Sequence, residues 1–221
     1  MGGKLIVLEG GEGAGKTTQI EKTYQWLCQK LPQEKVVRVT REPGGTKLGK
    51  QFRQILLTTG GEEKSSPEFL APHERTELLL YSADRAQHVE EVLKPWLKQG
   101  AIILCDRYTD STIAYQGYGR GISLDLIEQL NQIATGGLVS DLTLWLDVDV
   151  EKGLARAKKR GEFDRMEQAD LAFHRLVQQG FTQLAMDNPQ RMVRIDANLP
   201  EDLVQQQIQE VLRVRLDLNL S

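Results

Sequence analysis

No apolar run in this sequence approaches the roughly 20 residues that a bilayer-spanning helix needs, so no membrane segment is expected. The opening Met1-Gly2-Gly3-Lys4-Leu5-Ile6 does not read as a secretory leader, because Glu9 interrupts the apolar stretch at once. It also lacks the Ser or Thr that an N-myristoylation pattern places where Ile6 stands. A basic excess is missing too. The net charge is -3, which speaks against nucleic acid as a partner. Any negatively charged small ligand must then be met by locally focused positive charge. Cysteine is scarce: Cys28 and Cys105 lie far apart and share no metal-ligand spacing. Cys105 sits in the apolar run Ala101–Asp106, the pattern of a buried free thiol. A reducing, cytoplasmic setting is the expectation. No internal repeat, low-complexity tract or interdomain linker is visible. The 221 residues suffice for one well-cored domain, expected over residues 1–221.

What is present is an alternation. Short apolar runs at Leu5–Leu8, Val36–Val39, Ala101–Cys105, Leu142–Val148 and Met192–Ile195 read as buried strands. Amphipathic patterns lie between them at Thr17–Leu31, Leu48–Leu57, His73–Lys98, Ser123–Ile133, Leu171–Ala185 and Glu201–Leu212. Strands alternating with helices imply βαβ units, hence an α/β fold with a five-stranded parallel sheet flanked by helices in three layers. Turn signals separate the elements: Pro43-Gly44-Gly45, the polar Thr59–Pro67, Gly100 and Gly136-Gly137. Pro95 is expected to kink or end the long helix near Lys94.

The strongest local signal is Gly10-Gly11-Glu12-Gly13-Ala14-Gly15-Lys16-Thr17, followed by Thr18. It matches G-x-x-x-x-G-K-[ST] between a strand and a helical pattern, the context that a phosphate-binding loop requires. Glycines allow the backbone N–H groups to turn inward around a phosphate chain, and the helix adds its positive end. Lys16 is expected to reach the β- and γ-phosphates, and Thr17 to place its hydroxyl on Mg²⁺. The fold class expected is therefore that of the P-loop NTPases. An Asn-Lys-x-Asp guanine-reading segment does not occur, which speaks against a GTPase switch. The chain is small for a motor, and small-molecule kinases remain.

Basic residues cluster in segments facing the C-terminal strand edge, where open α/β sheets bind ligands. Arg41-Glu42-Pro43 follows the second strand, Asp106-Arg107-Tyr108 the third. Arg53 lies on the helix after Gly44-Gly45, and Arg85 on the long helix. Arginine forks suit phosphates and carbonyl edges. Plainer readings exist for each. Tyr81 could be core, Arg53 and Arg85 solvated helix charges, Asp106-Arg107 a local ion pair, and Tyr115 packing against the long helix. Glu151–Arg165 holds Arg156, Lys158, Lys159, Arg160 and Arg165, which is either a solvated face or a mobile basic lid (about residues 151–166) over a transferring phosphoryl group. Gly161 could serve as its hinge. His73, His88 and His174 fall in no motif and read as non-catalytic.

Taken with the phosphate loop, three segments resemble bacterial thymidylate kinases: Arg41-Glu42-Pro43-Gly44-Gly45-Thr46, Asp106-Arg107-Tyr108-Thr109-Asp110-Ser111-Thr112-Ile113-Ala114-Tyr115-Gln116-Gly117 and Arg160-Gly161-Glu162-Phe163-Asp164-Arg165. The likeness runs from about Leu5 to beyond Arg165, and the middle segment is highly specific. It implies ATP as donor on Gly10–Thr18, dTMP as acceptor, and Mg²⁺. It also implies that Arg107 and Arg53 hold the acceptor phosphate and that Tyr81 stacks on the pyrimidine. Arg85 and Gln116 would hydrogen-bond the base edge with Thr112 close by, and Tyr115 would crowd the 2′ position. Glu42 and Ser111 belong to the same wall. Glu12, Glu42 and Asp106 are carboxylates near the metal and its waters. Where the family often has phenylalanine, position 81 is tyrosine; where it often has serine, position 112 is threonine. Both keep the chemistry. The phosphate loop carries no second cation, so the likeness is to the type with basic residues in the lid, with Arg160 and then Arg156 as the transition-state cation. It further implies a homodimer. Other readings stay open: a kinase for a deoxynucleoside, UMP or CMP, or a nucleotide-dependent switch. A deoxynucleoside kinase needs a base, for which Glu9 is the candidate.

Overall fold

The computed structural model describes residues 2–58, 72–161, 165–166 and 169–215. The polar stretch Thr59–Pro67, residues 162–164 of the expected lid and the Arg160 side chain lie outside the described residues.

Five strands form one parallel sheet in the order β2-β3-β1-β4-β5: β1 (Lys4–Glu9), β2 (Val37–Arg41), β3 (Ile102–Asp106), β4 (Leu142–Asp147) and β5 (Met192–Asp196). β1 is central because it is apolar on both faces; Leu5, Ile6, Val7 and Leu8 have no exposed surface. Side chains alternate between faces along a strand. Ile6 and Leu8 therefore join Ile102, Leu104, Leu142 and Leu144 beneath α1 (Lys16–Lys30) and, late in the chain, α9 (Glu201–Arg215). Leu5 and Val7 join Ile103 and Cys105 on the opposite face. β2 lies at the edge, and its Val39 is exposed, so its apolar run is only half a core strand.

Between β2 and β3 run α2 (Lys47–Leu57), α3 (Glu74–His88), a π-helical segment (Val89–Leu93) and α4 (Lys94–Lys98). The break expected near Lys94 comes earlier, and the chain stays helical through it. Pro95 has no N–H to give the preceding turn. The ladder widens ahead of it, so that the Lys94 N–H reaches the Val89 carbonyl five residues back. After β3 the chain forms a short α5 (Thr109–Thr112) and a second π-helical segment (Ile113–Gly119), followed by α6 (Leu124–Thr135). Neither short element was marked by apolar periodicity. The second packs on α8 (Leu171–Asp187), where Tyr115, Phe173, Phe181 and Trp145 form an aromatic cluster. α7 (Val150–Arg160) follows β4 and ends at Gly161, whose φ of 90° stops the helix.

The strand order reverses around β1, with β3 on one side and β4 on the other. That switch point leaves a crevice at the C-terminal edge of the sheet. Among the described residues no helix is long and apolar enough to cross a membrane.

Candidate active site

The loop leaving β1 bends through Gly10 (φ 144°), Gly13 (φ 65°) and Gly15 (φ 90°) into the N-terminus of α1. Gly13 is needed for a second reason. A Cβ there would stand 2.0 Å from the Gly153 carbonyl oxygen, and one on Gly153 would stand 2.4 Å from the Glu12 carbonyl oxygen. The phosphate loop and α7 thus touch backbone to backbone at a pair of glycines. Lys16 is buried, and its Nζ donates to the Gly10 and Gly11 carbonyls at 2.9 and 3.1 Å. Burial and the nearby Arg107 charge lower its pKa.

A cleft of about 1450 Å³ opens in front of this loop, larger than the ~300–1,000 Å³ usual for one small ligand. Its near wall is the segment from Glu12 to Gln19, which includes Thr17 and Thr18. Its far wall carries Arg53, Tyr81, Arg85, Arg107, Thr112 and Gln116. Glu42, Asp106, Ser111, Tyr115 and Arg156 line it as well. Nearly all of the residues singled out from sequence therefore meet in one crevice. Gly10 and Gly11 sit behind it, binding Lys16.

Arg107 has a φ of 70° and is the one described non-glycine residue in the left-handed region. Strain of this kind persists where surrounding structure over-determines it. Here the restraint comes from Glu9, which has no exposed surface and accepts bonds from Tyr108 N (2.8 Å), Ser111 N (3.1 Å) and Ser111 Oγ (2.6 Å). Burial, with Asp110 beside it, raises the Glu9 carboxyl to about 7. Glu9 is not part of the cleft wall and is committed to this turn, so it is not placed to serve as a base there.

The Arg107 side chain turns across to the phosphate loop. It donates to Gly10 O (3.2 Å) and Ser111 Oγ (3.2 Å), pairs with Glu12 at 2.9 Å, and lies over the Tyr115 ring at 4.8 Å. The local Asp106–Arg107 pair is not formed. Asp106 faces Arg41 at 3.5 Å, and its Oδ1 is buried with no partner among the described residues. Tyr115 donates its hydroxyl to Glu12 at 2.7 Å. Burial alone would raise the Glu12 carboxyl; Arg107, Lys16 and this hydroxyl outweigh it and hold it near about 2.

Arg85 is a buried side chain, not a solvated charge. Its Nε donates to Glu42, Nη1 to Thr112 and Asn131, and Nη2 to the Tyr108 carbonyl, at 2.7–3.0 Å. Bonds to described residues thus use four of the five N–H groups an arginine has. Glu42 also binds His88, which reaches Thr40 with its other nitrogen. His88 is a structural residue of this wall. Arg53 donates to the Pro43 carbonyl at 3.1 Å. Arg156, on α7, donates to the Ala197 carbonyl at 3.1 Å.

Glu77 was missed. It lies on α3 four and eight residues before Tyr81 and Arg85, the spacing of one helix face, and that spacing was a usable signal. Leu57, Met166 and Ala197 at the cleft, and Asn131 behind Arg85, carried no such mark.

A phosphate-cradling loop at a sheet's switch point, opposed across one cleft by a wall of arginines, is the architecture of an ATP-dependent nucleoside monophosphate kinase with the P-loop fold. Comparisons with known proteins agree. The family model described as thymidylate kinase matches residues 8–208. A thymidylate kinase of Trichodesmium erythraeum is 59% identical, with 97% of this chain and 96% of the relative covered. One of Nostoc punctiforme is 59% identical, with 98% of each covered. The crystal structure of thymidylate kinase from Ehrlichia chaffeensis superimposes with a TM-score of 0.73 at 32% identity, over 96% of this chain and 100% of that one. The chain belongs to the thymidylate kinase family.

Proposed function

We propose that this chain transfers the γ-phosphoryl group of ATP to the phosphate of dTMP, giving ADP and dTDP. The observation that carries this reading is that one cleft is lined both by the phosphate loop with Lys16 and by the guanidinium groups of Arg107 and Arg53. Two anionic ligands meeting tail to tail fit that arrangement, and a neutral hydroxyl acceptor does not require it. A phosphate monoester has its second pKa near 6 and is largely a dianion at neutral pH. It needs no base, in keeping with a Glu9 that is tied up behind the wall.

The work left to the protein is to hold two polyanions in line against their repulsion. Lys16 donates to the Gly10 and Gly11 carbonyls, and Arg107 pairs with Glu12. Both cations are pre-aimed, and each exchanges an internal partner for a phosphate. Arg156 and Arg160 on α7 add positive charge where the migrating group passes. The unpartnered Asp106 Oδ1 and the exposed Thr17 hydroxyl suit Mg²⁺ held mainly through water and phosphate oxygens. Among the described residues no cluster of three carboxylate, Cys or His groups competes with that arrangement. Bound Mg²⁺ supplies charge neutralisation at the phosphate oxygens.

The base wall matches thymine's edge. Arg85 has one N–H beyond its bonds to described residues, a donor for a carbonyl. Gln116 offers an amide, and Tyr81 a ring on which to stack. Tyr115 crowds the sugar. The reading extends to a cytoplasmic homodimer. Support for the dimer is the exposed apolar surface on the adjoining helices α2, α3 and α6, with Ile55, Leu79 and Ile133 exposed. Support for the compartment is two free cysteines. A coupled assay of ADP release across dTMP, dUMP, UMP, CMP, dGMP and thymidine tests the reaction. ADP release dependent on dTMP is expected, and turnover of thymidine with dTMP inert would overturn the reading.

A further inference from the structure

We infer that Glu77, which does not line the cleft, is a positioning residue that fixes which end of the Gln116 amide faces the base, and so sets the choice of thymine over cytosine. The inference rests on the dTMP reading and deepens it. Gln116 is buried and lines the cleft, and its Nε2 donates to Glu77 Oε1 at 2.7 Å. Glu77 has only 1% of its surface exposed. Its carboxylate can only accept hydrogen bonds, so the amide must turn its NH₂ toward it. The end left for a ligand is the carbonyl Oε1, a pure acceptor. Thymine's ring N3 carries a hydrogen and matches an acceptor; cytosine's N3 is itself an acceptor and does not. The spare N–H of Arg85 completes the pattern, since it matches the carbonyl of thymine and opposes the amino group of cytosine.

The carboxylate is itself held. Arg165 Nη2 pairs with Glu77 Oε2, and Arg165 Nε donates to the Leu56 carbonyl at 3.0 Å. Glu77 Oε2 is therefore taken by a cation, and Oε1 is the oxygen that Gln116 meets. The division of labour gives Glu77→Gln a definite consequence. Arg165 needs an acceptor and takes the one oxygen of the new amide. The new NH₂ then faces Gln116, whose carbonyl turns to receive it. Gln116 now shows its NH₂ to the base, which suits cytosine N3 and leaves thymine N3–H facing a donor. A merely structural glutamate would not make its variant change preference in this direction.

The test compares kcat/KM for dTMP and dCMP in wild type, in Glu77→Gln and in the double variant Glu77→Met/Arg165→Met. The double variant replaces the ion pair with apolar chains of similar length and leaves neither charge buried alone, so it reports even where the single variant does not fold. The dTMP/dCMP ratio is expected to fall by about fivefold or more in each, with dTMP KM rising more than kcat falls. In Glu77→Gln, dCMP turnover is also expected to rise in absolute terms. A smaller fall in ratio in whichever variant folds overturns the inference while leaving the dTMP reading intact. Wild-type protein that does not turn over dTMP overturns that reading, and the inference with it.

Discussion

Arg107→Met perturbs the group on which both walls of the cleft depend. In the folded protein Arg107 holds Glu12 near about 2, against burial that would otherwise raise it. A carboxyl lowered from 4.5 to about 2 contributes stability that is present above its unfolded value and is lost as pH falls through the folded one. Integrated over those two values, the contribution is roughly 3 kcal/mol at pH 7 and about 1.4 kcal/mol at pH 3. Methionine removes the largest of the influences that lower Glu12 and leaves Lys16 and the Tyr115 hydroxyl against burial. The stability gap between wild type and variant should therefore narrow, by up to about 2 kcal/mol, between pH 7 and pH 3. Part of the gap does not depend on pH, because the variant also spares the desolvation of a buried guanidinium. The pH dependence is thus the cleaner signal than the gap at one pH. Urea unfolding of both proteins at the two pH values measures it. If Arg107 grips the acceptor phosphate as proposed, the same substitution removes charge-assisted bonds each worth ~1.5–3 kcal/mol, and kcat/KM for dTMP should fall by about a hundredfold or more. A gap that stays constant with pH, or a kcat/KM for dTMP that is unaltered, would refute the reasoning.

Two further outcomes follow from packing. Gly153→Ala places a Cβ 2.4 Å from the Glu12 carbonyl oxygen and 3.0 Å from Val148 Cγ1. It should destabilise by about 1–3 kcal/mol and raise the KM for ATP by displacing the phosphate loop, as read by urea unfolding and steady-state kinetics; unchanged values of both would contradict the contact. A thiol reagent should modify the exposed Cys28 rapidly in the native protein and the buried Cys105 only on unfolding. Two fast equivalents in the native state would show that Cys105 is accessible.

The sheet was legible because β1, β3 and β4 are buried on both faces and read as nearly continuous apolar runs. The edge strand β2 was legible as a strand but not as an exposed one, since Val39 looks the same in sequence whether a helix covers it or not. The turn carrying Arg107 into Gln116 was not legible as helix. Its residues are mostly hydroxyl, β-branched and aromatic types (Thr109, Ser111, Thr112, Ile113, Tyr115) with no helical apolar period, and packing on α8, not local preference, winds it into α5 and a π turn. The phosphate loop was plain from its glycines, yet the reason for Gly13 lies 140 residues on, at Gly153. Partners were the least visible. Asp106 and Arg107 are neighbours in sequence but pair with Arg41 and Glu12, because the left-handed turn at Arg107 points their side chains apart. Glu77 belongs to no motif, and only tertiary contact shows its two oxygens divided between Gln116 and Arg165.

The most direct measurement follows the phosphorus itself. ATP labelled in its γ position is incubated with the protein, Mg²⁺ and either dTMP or thymidine, and the products are separated. The label is expected in the β-phosphate of dTDP when dTMP is supplied, with none transferred to thymidine. Label appearing only as inorganic phosphate, or in dTMP made from thymidine, would contradict a cleft built to join two anions end to end.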